Sequence, residues 1–218
     1  SRVALIEVGA GSAVPSLAAA AVGAFRTVVA TDCFEEELAL IRHNAGLNGK
    51  KLTSVARVDV SDAQMLARVV KEYASPSTSA HSVASGDGDG GDSPLLVLAC
   101  DMSYDPEAIL HLFASMRALV DAYPSRKPLL LFARSSNFAH MDTQTRLHAA
   151  RHGFALLARS DARGSPGVID SISESHLTPC ADDAVSSFFF APSVTRLAPD
   201  AAQDASVLRA DLLDIEHE

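Results

Sequence analysis

The sequence predicts a doubly wound α/β domain with a mainly parallel seven-stranded sheet, helices on both faces and an antiparallel last pair of strands. Short apolar runs such as residues 3–8 alternate along the chain with segments of helical spacing. The first run leads into the turn Gly9-Ala10-Gly11 and then into a small-residue helix. The length of 218 residues suits one domain of this class.

The individual elements follow from the same patterns. We expect strands at residues 3–8, 27–31, 52–60, 95–99, 129–133, 154–158 and 187–191. We expect helices at residues 16–24, 35–47, 63–73, 109–122 and 143–152. Residues 3–8 are almost continuously apolar, which is typical of a strand that is buried on both faces of a parallel sheet.

One segment interrupts this alternation. Residues 75–94 are rich in Ser, Gly and Asp and hold almost no large apolar side chain, so they cannot bury enough surface to become ordered. We therefore expect a flexible low-complexity insertion within a single domain that spans residues 1–218. The chain starts with Ser1 and the first strand begins almost at once, so we expect that an N-terminal segment precedes it.

Composition argues against several classes of function. The chain has 27 acidic and 18 basic residues and a formal charge of -9, whereas a general nucleic-acid binder needs a basic face. No run is long and apolar enough to span a bilayer. Cys33, Cys100 and Cys180 form neither a disulfide framework nor a zinc pattern. We expect a reducing compartment, the cytoplasm or the nucleus.

The ends of the first four predicted strands carry acidic residues. These are Glu7, Asp32, Asp59 and Asp101. Doubly wound sheets bind their ligands at the carboxyl ends of the strands, so we expect all four residues to face one crevice. Gly9 and Gly11 add a place where a ligand can approach the backbone closely. This arrangement predicts a nucleotide or nucleoside pocket.

The glycine turn separates two kinds of nucleotide ligand. Dinucleotide enzymes need a third glycine three residues after the second, because the pyrophosphate binds over the helix N-terminus. Val14 occupies that position and Pro15 follows it. The pattern acidic-x-Gly-x-Gly, which begins here at Glu7, is typical of S-adenosylmethionine, a ligand without phosphate. Asp32 can accept hydrogen bonds from the ribose hydroxyls of either ligand.

With these positions in place, the chain resembles the seven-strand protein lysine methyltransferases of the methyltransferase-16 family. The shared motifs are Glu7-Val8-Gly9-Ala10-Gly11 with Val14-Pro15 and Gly23-Ala24, Thr31-Asp32, the helix residues Leu38, Ile41, Asn44 and Asn48, Asp101-Met102-Ser103-Tyr104 with Asp105-Pro106-Glu107, and Gly153-Phe154. They occur in the family's order over residues 3–157, and ordered motifs are more specific than a lone Gly-x-Gly.

The resemblance implies a class I S-adenosylmethionine-dependent methyltransferase that methylates a lysine of a protein, with S-adenosylhomocysteine as product. The implied cofactor-binding residues are Glu7, Gly9, Ala10, Gly11, Asp32, Asp59, Val60 and Cys100. Gly9 to Gly11 would line the methionine part, Asp32 the ribose, and Asp59-Val60 the adenine, while the backbone of Cys100 would contact the cofactor. Asp101 and Tyr104 would be catalytic and shape the lysine channel.

The chemistry agrees with these residue types. A lysine amine attacks a sulfonium methyl only when it is neutral and in line. A carboxylate and a phenol can orient such an amine, and an aromatic wall can hold a methylated ammonium. The reaction needs no metal. His148 and His152 are four residues apart, but without a third ligand they indicate a solvated helix face rather than a metal site.

Two alternatives to this function stay open. The same fold can serve a methyltransferase that acts on a small molecule or on a residue other than lysine. The chain can also be a non-catalytic scaffold, because Ala13 and Ser16 replace glycines of the family and the chain has no Trp. Asp32 and Asp101 also have a purely structural interpretation, as caps of the helix and the turn that follow them.

Overall fold

The computed structural model describes residues 3–49, 52–74, 94–102, 105–126, 128–135, 141–161 and 185–192. Tyr104, Cys180 and the insertion predicted at residues 75–94, apart from Pro94, lie outside the described residues. No described helix is both long enough and apolar enough to cross a membrane.

The described residues form seven strands and five α-helices. The strands are β1 (Ala4–Val8), β2 (Thr27–Asp32), β3 (Ser54–Arg57), β4 (Leu95–Cys100), β5 (Leu129–Ser135), β6 (Phe154–Asp161) and β7 (Val185–Pro192). The α-helices are α1 (Val14–Val22), α2 (Glu35–Leu47), α3 (Met65–Val69), α4 (Pro106–Ala122) and α5 (Asp142–Arg151). A π-helical turn (Val70–Ala74) continues α3, and a 3-10 turn (Pro124–Arg126) follows α4.

The strands lie in one sheet in the order β3-β2-β1-β4-β5-β7-β6. The five strands β1 to β5 are parallel, and β7 pairs antiparallel with β5 and with β6. This confirms the predicted α/β class, with a parallel part of five strands. The chain order reverses direction between β1 and β4, and this is the point at which doubly wound sheets form a crevice at the carboxyl ends of their strands.

Helices cover both faces of the sheet, as the apolar runs predict. Ile6 and Val97 point to one face, where they join a large core with Leu66, Phe113 and Phe154 from α3, α4 and β6. Alternate residues of the same strands point to the other face, toward α1 and α2. All five residues of β1 are buried, because helices pack on both sides of this strand.

Most predicted boundaries shift by a few residues, and two of these shifts fall beside the crevice and have a clear physical cause. The strand predicted at 52–60 ends at Arg57, because Asp59 forms a turn in which its carboxylate accepts the N–H of Ser61. The helix predicted at 109–122 begins earlier, at Pro106. The Asp105 side chain accepts the N–H of Glu107 and caps this helix, with proline in its first turn.

Candidate functional site

A cleft with a volume of about 770 Å³ opens at the carboxyl ends of the parallel strands. Nine of the ten site residues proposed from the sequence line it, namely Glu7, Gly9, Ala10, Gly11, Asp32, Asp59, Val60, Cys100 and Asp101. The tenth, Tyr104, lies outside the described residues. The fold therefore brings the ends of four strands to one place, as the acidic strand ends predict.

The turn between β1 and α1 presents its backbone to the cleft. Gly9 and Gly11 have φ angles of 64° and 50°, a region that favours glycine. A Cβ added at Gly9 would lie 3.1 Å from the sulfur of Met102, a tight contact that would require the Met102 side chain to shift. The N–H of Ala10 donates to the carbonyl of Thr31 over 2.8 Å, which ties the turn to β2.

Ala13 occupies a position where the resembled family has glycine, and it keeps a glycine-like conformation. Its φ and ψ are 57° and 27°, which for a residue with a Cβ costs about 1–2 kcal/mol. Its side chain is fully buried against Ala10, Leu38 and Ile41, and this burial offsets part of the cost. The turn therefore keeps its left-handed geometry without the third glycine.

Glu7 connects the end of β1 to the first turn of α1. The side chain is only 1% exposed, and its Oε2 accepts the N–H of Ser16 over 3.0 Å. Burial raises the pKa of Glu7, and the hydrogen bonds from Ser16 lower it in part. A carboxylate in the first turn of a helix also interacts favourably with the helix dipole. Glu7 thus fixes the start of α1 against the strand.

Asp32 is also buried, and its carboxylate is already well supplied with donors. Oδ2 accepts the N–H of Gly11 at 3.0 Å, and Oδ1 accepts those of Cys33 and Phe34 at 2.7 and 3.2 Å. A carboxylate offers about four acceptor positions, so roughly one stays available to a ligand. The alternative that Asp32 is the N-cap of α2 is wrong, because Phe34 holds that position.

The loop after β3 is held both internally and by α4. The Asp59 Oδ1 accepts the N–H and the hydroxyl of Ser61 at 2.9 and 2.6 Å, and these hydrogen bonds, assisted by the charges of Arg57 and His111, lower the pKa of Asp59. The carbonyl of Val60 accepts the hydroxyl of Ser115 over 3.0 Å. The two residues predicted to lie beside the adenine therefore have fixed positions.

The end of β4 combines a strained residue with a neutral thiol. Asp101 is exposed and has a φ of 59°, and strained residues of this kind cluster at functional sites. Asp105 caps the following helix. The alternative role of Asp101, as a cap of the turn before Pro106, involves residues 103–104, which lie outside the described residues. Burial, reinforced by the charges of Glu7 and Asp101, raises the pKa of Cys100 to about 12.

The charged residues that line the cleft are almost all carboxylates. They are Glu7, Asp32, Glu37, Asp59, Asp101, Asp105 and Glu107, and among the described lining residues His111 is the single Lys, Arg or His. Glu37, Glu107, His111 and Phe34 were not predicted as site residues. The sequence signal that could have identified Phe34 and Glu107 is their short distance from a strand end. Phe34 is two residues after Asp32, and Glu107 closely follows the Asp-x-x-Tyr motif.

Away from the cleft, the histidine pair on α5 differs from the prediction. His148 is 8% exposed, and burial lowers its pKa, so the prediction of a solvated face is wrong for this residue. His152 places Nδ1 2.8 Å from the carbonyl oxygen of His148. Within the described ranges, no three His, Cys, Asp or Glu residues are grouped so that they could hold a metal ion.

Comparison with known proteins reveals similarity in fold rather than in sequence. No family model and no curated protein matches the chain. Streptococcus pneumoniae Sp1610, a candidate tRNA (m1A22) methyltransferase solved in complex with S-adenosyl-L-methionine, is 12% identical over 91% of this chain and 70% of its own, with a TM-score of 0.53. TrmN from Thermus thermophilus is 17% identical over 86% of this chain and 43% of its own, with a TM-score of 0.50.

A third solved structure leads to the same conclusion. An uncharacterized protein from Listeria monocytogenes serotype 4b is 10% identical over 90% of this chain and 64% of its own, with a TM-score of 0.54. The chain therefore has the Rossmann-like α/β fold of these proteins, which include a candidate methyltransferase in complex with S-adenosyl-L-methionine. The resemblance to the methyltransferase-16 family is not confirmed by these comparisons, and fold alone does not define a substrate.

Proposed function

We propose that the chain is an S-adenosylmethionine-dependent methyltransferase that transfers methyl groups to a lysine side chain of a protein, with S-adenosylhomocysteine as product. The observation that carries this proposal is the meeting of Glu7, Asp32, Asp59 and Asp101 with a glycine turn in one cleft. A volume of about 770 Å³ is within the range of small-molecule and cofactor sites. A protein of similar fold, Sp1610, binds this cofactor.

The chain's own residues fit such a cofactor. Gly9 lines the cleft and has no side chain of its own, and the Asp32 carboxylate keeps roughly one acceptor position for a ribose hydroxyl. The loop of Asp59 and Val60 borders the same space, where adenine would lie. When bound, the cofactor supplies an electrophilic methyl group on a sulfonium.

The charge of the cleft favours a cationic acceptor over a nucleic acid. Seven lining carboxylates create a negative potential that attracts both a sulfonium and a lysine ammonium. A phosphate backbone would approach the same carboxylates at an electrostatic cost, since binding of nucleic acids depends on basic contacts. This charge is why we propose a protein substrate, although the similar protein Sp1610 is named for tRNA methylation.

Asp101 is the residue that we propose to orient the acceptor. Its exposed position in the cleft lets its carboxylate accept a hydrogen bond from the entering lysine, which then loses its proton to solvent. Tyr104, predicted to share this task, lies outside the described residues. The high pKa of Cys100 keeps its thiol neutral, so this nearby sulfur does not compete for the methyl group.

Two measurements test the proposal. In calorimetric titration we expect the full chain to bind S-adenosylhomocysteine and the D32A variant to bind it far more weakly. Incubation with cell lysate and methyl-labelled cofactor should then label protein lysines, identified by peptide sequencing, and D101N should abolish the label. Absence of binding would overturn the cofactor assignment, whereas label that is lost on ribonuclease treatment would overturn the protein substrate.

A second candidate is a non-catalytic scaffold that keeps the pocket. Its support is the replacement of a motif glycine by the strained Ala13 and the absence of Trp from the chain. It predicts that S-adenosylhomocysteine binds and that no protein, RNA or small molecule in the lysate becomes labelled. The labelling experiment therefore separates the two candidates, because only the enzyme consumes the cofactor.

A further inference from the structure

Phe34 is an exposed aromatic residue in the lining of the cleft. The residue is 61% exposed although it lines the cleft wall. Among the described lining residues it is the only Phe, Tyr or Trp. Other exposed apolar residues, such as Val22 and Leu47, do not line the cleft. Single exposed apolar side chains are common on protein surfaces. The exposure of Phe34 is informative because the residue lies in a cleft large enough for a ligand.

The backbone of Phe34 is fixed by the residue that we propose to bind the ribose. Its N–H donates to Oδ1 of Asp32 over 3.2 Å. Its carbonyl accepts the N–H of Leu38 over 3.1 Å, which starts α2. The ring therefore projects from a short, well-held segment directly after Asp32, and a nucleoside held by Asp32 would place its base within the same part of the cleft.

The loop after β3 lies beside this segment. The strands β2 and β3 are paired, with Asp32 opposite Arg57, and the N–H of Val58 donates to the carbonyl of Asp32 over 3.0 Å. Val60 follows in that loop and lines the cleft, and its carbonyl is held by Ser115 of α4. The cleft thus has a phenyl ring on one loop and an aliphatic side chain on the neighbouring loop, a combination suited to a flat apolar ring system.

We infer that Phe34 stacks on the adenine ring of the cofactor and that it supplies the only aromatic side chain among the described residues lining the cleft of this Trp-free chain. The inference rests on the proposed function, and it adds a binding residue from the loop after β2. Stacking of a base on an aromatic side chain contributes to affinity and removes apolar surface of both rings from water. The exposure of Phe34 then reflects a surface that the ligand covers.

The first test is a set of calorimetric titrations with S-adenosylhomocysteine and with adenosine. F34A should weaken the binding of both ligands by about ten-fold or more, since both lose the same stacking contact. F34L, which keeps an apolar side chain without a ring, should fall between F34A and the unchanged chain. L47A is the matched control, because Leu47 is 74% exposed and lies outside the cleft, and it should bind as the unchanged chain does.

The second test uses the absence of Trp from the chain. F34W introduces a single indole, and its fluorescence should be quenched by saturating adenosine, whereas methionine should leave it unchanged. If the unchanged chain binds S-adenosylhomocysteine but F34A binds it within two-fold, the stacking inference is overturned and the proposed function stands. If the unchanged chain does not bind it at all, the proposed cofactor itself fails.

Discussion

The two sides of the cleft use carboxylates in different ways. At the ends of β1 and β2, Glu7 and Asp32 are 1% and 6% exposed and accept backbone N–H groups from the glycine turn and the starts of two helices. At the ends of β3 and β4, Asp59 is partly exposed and Asp101 is exposed. Acidic residues at strand ends are therefore buried and structural on the side of β1 and β2, and they are accessible to solvent on the side of β3 and β4.

The buried carboxylates therefore shape the pocket, and Asp32 in addition keeps an acceptor position for a ligand. The accessible carboxylates are available mainly to contact a ligand. A buried carboxylate with several N–H donors cannot be removed without leaving those donors unpaired, which is costly in a protein interior. An exposed carboxylate exchanges its contacts with water, so its removal affects mainly what binds there. Substitutions on the buried side should therefore cost stability as well as ligand binding, whereas substitutions on the accessible side should affect mainly function.

The largest effect should come from Asp32. D32A leaves the N–H groups of Gly11, Cys33 and Phe34 without their acceptor, and we expect the free energy of unfolding to fall by about 2–4 kcal/mol. Urea denaturation measures this change. D59A is the comparison from the other side and should cost clearly less. If D32A and D59A lowered the free energy of unfolding equally, buried and accessible carboxylates would not differ in their contribution to stability.

The glycine turn should give the next largest effect. G9A places a Cβ at a φ of 64° and 3.1 Å from the sulfur of Met102, so we expect a loss of about 2–4 kcal/mol from backbone strain and overpacking together. Gly23 has a similar φ of 70° with open space around it, and G23A should cost about 1–2 kcal/mol. Thermal unfolding provides both values, and only G9A should also weaken S-adenosylhomocysteine binding.

Glu7 and Asp59 should respond to pH with opposite signs. Burial raises the pKa of Glu7, so its contribution to stability is present below the unfolded pKa of Glu, about 4.3, and is lost as pH rises through its folded pKa. Hydrogen bonds lower the pKa of Asp59, so its smaller contribution is present above the unfolded pKa and is lost as pH falls through its folded pKa.

The E7Q and D59N variants measure these two dependences. Urea denaturation is repeated from about pH 2 to pH 8 for each variant and for the unchanged chain. The stability of the unchanged chain relative to E7Q should decline with rising pH, whereas its stability relative to D59N should decline with falling pH. Parallel curves for E7Q and the unchanged chain would show that Glu7 is not desolvated.

Asp101 should give the smallest change in stability. Asn tolerates the left-handed conformation about as well as Asp, so D101N should alter the free energy of unfolding by no more than about 0.5 kcal/mol. Binding of S-adenosylhomocysteine should persist while methyl transfer is lost. D121N, on α4 but outside the cleft lining, is the control for charge removal and should keep transfer. If D101N were clearly destabilised, Asp101 would be a residue that stabilises the fold, like Glu7 and Asp32.

The candidate site was recognised from the sequence wherever its residues lie at strand ends. Gly9, Asp32 and Asp101 follow apolar runs directly, and strand ends are encoded by local hydrophobic patterns and turn residues. Phe34 and His111 were missed because they belong to helix starts and helix faces. Whether such a residue faces a cleft or solvent depends on how its helix packs. This packing cannot be predicted from the local sequence pattern.

The sequence by itself determined the α/β class, the order of strands and helices and the acidic strand ends, because periodicity and turn chemistry act over a few residues. The tertiary structure alone decided that Asp32 is buried and Asp101 exposed, that β3 ends at Arg57 and that His148 is buried. Burial is set by contacts between elements that are far apart in the chain, so identical side chains acquire different environments and different roles.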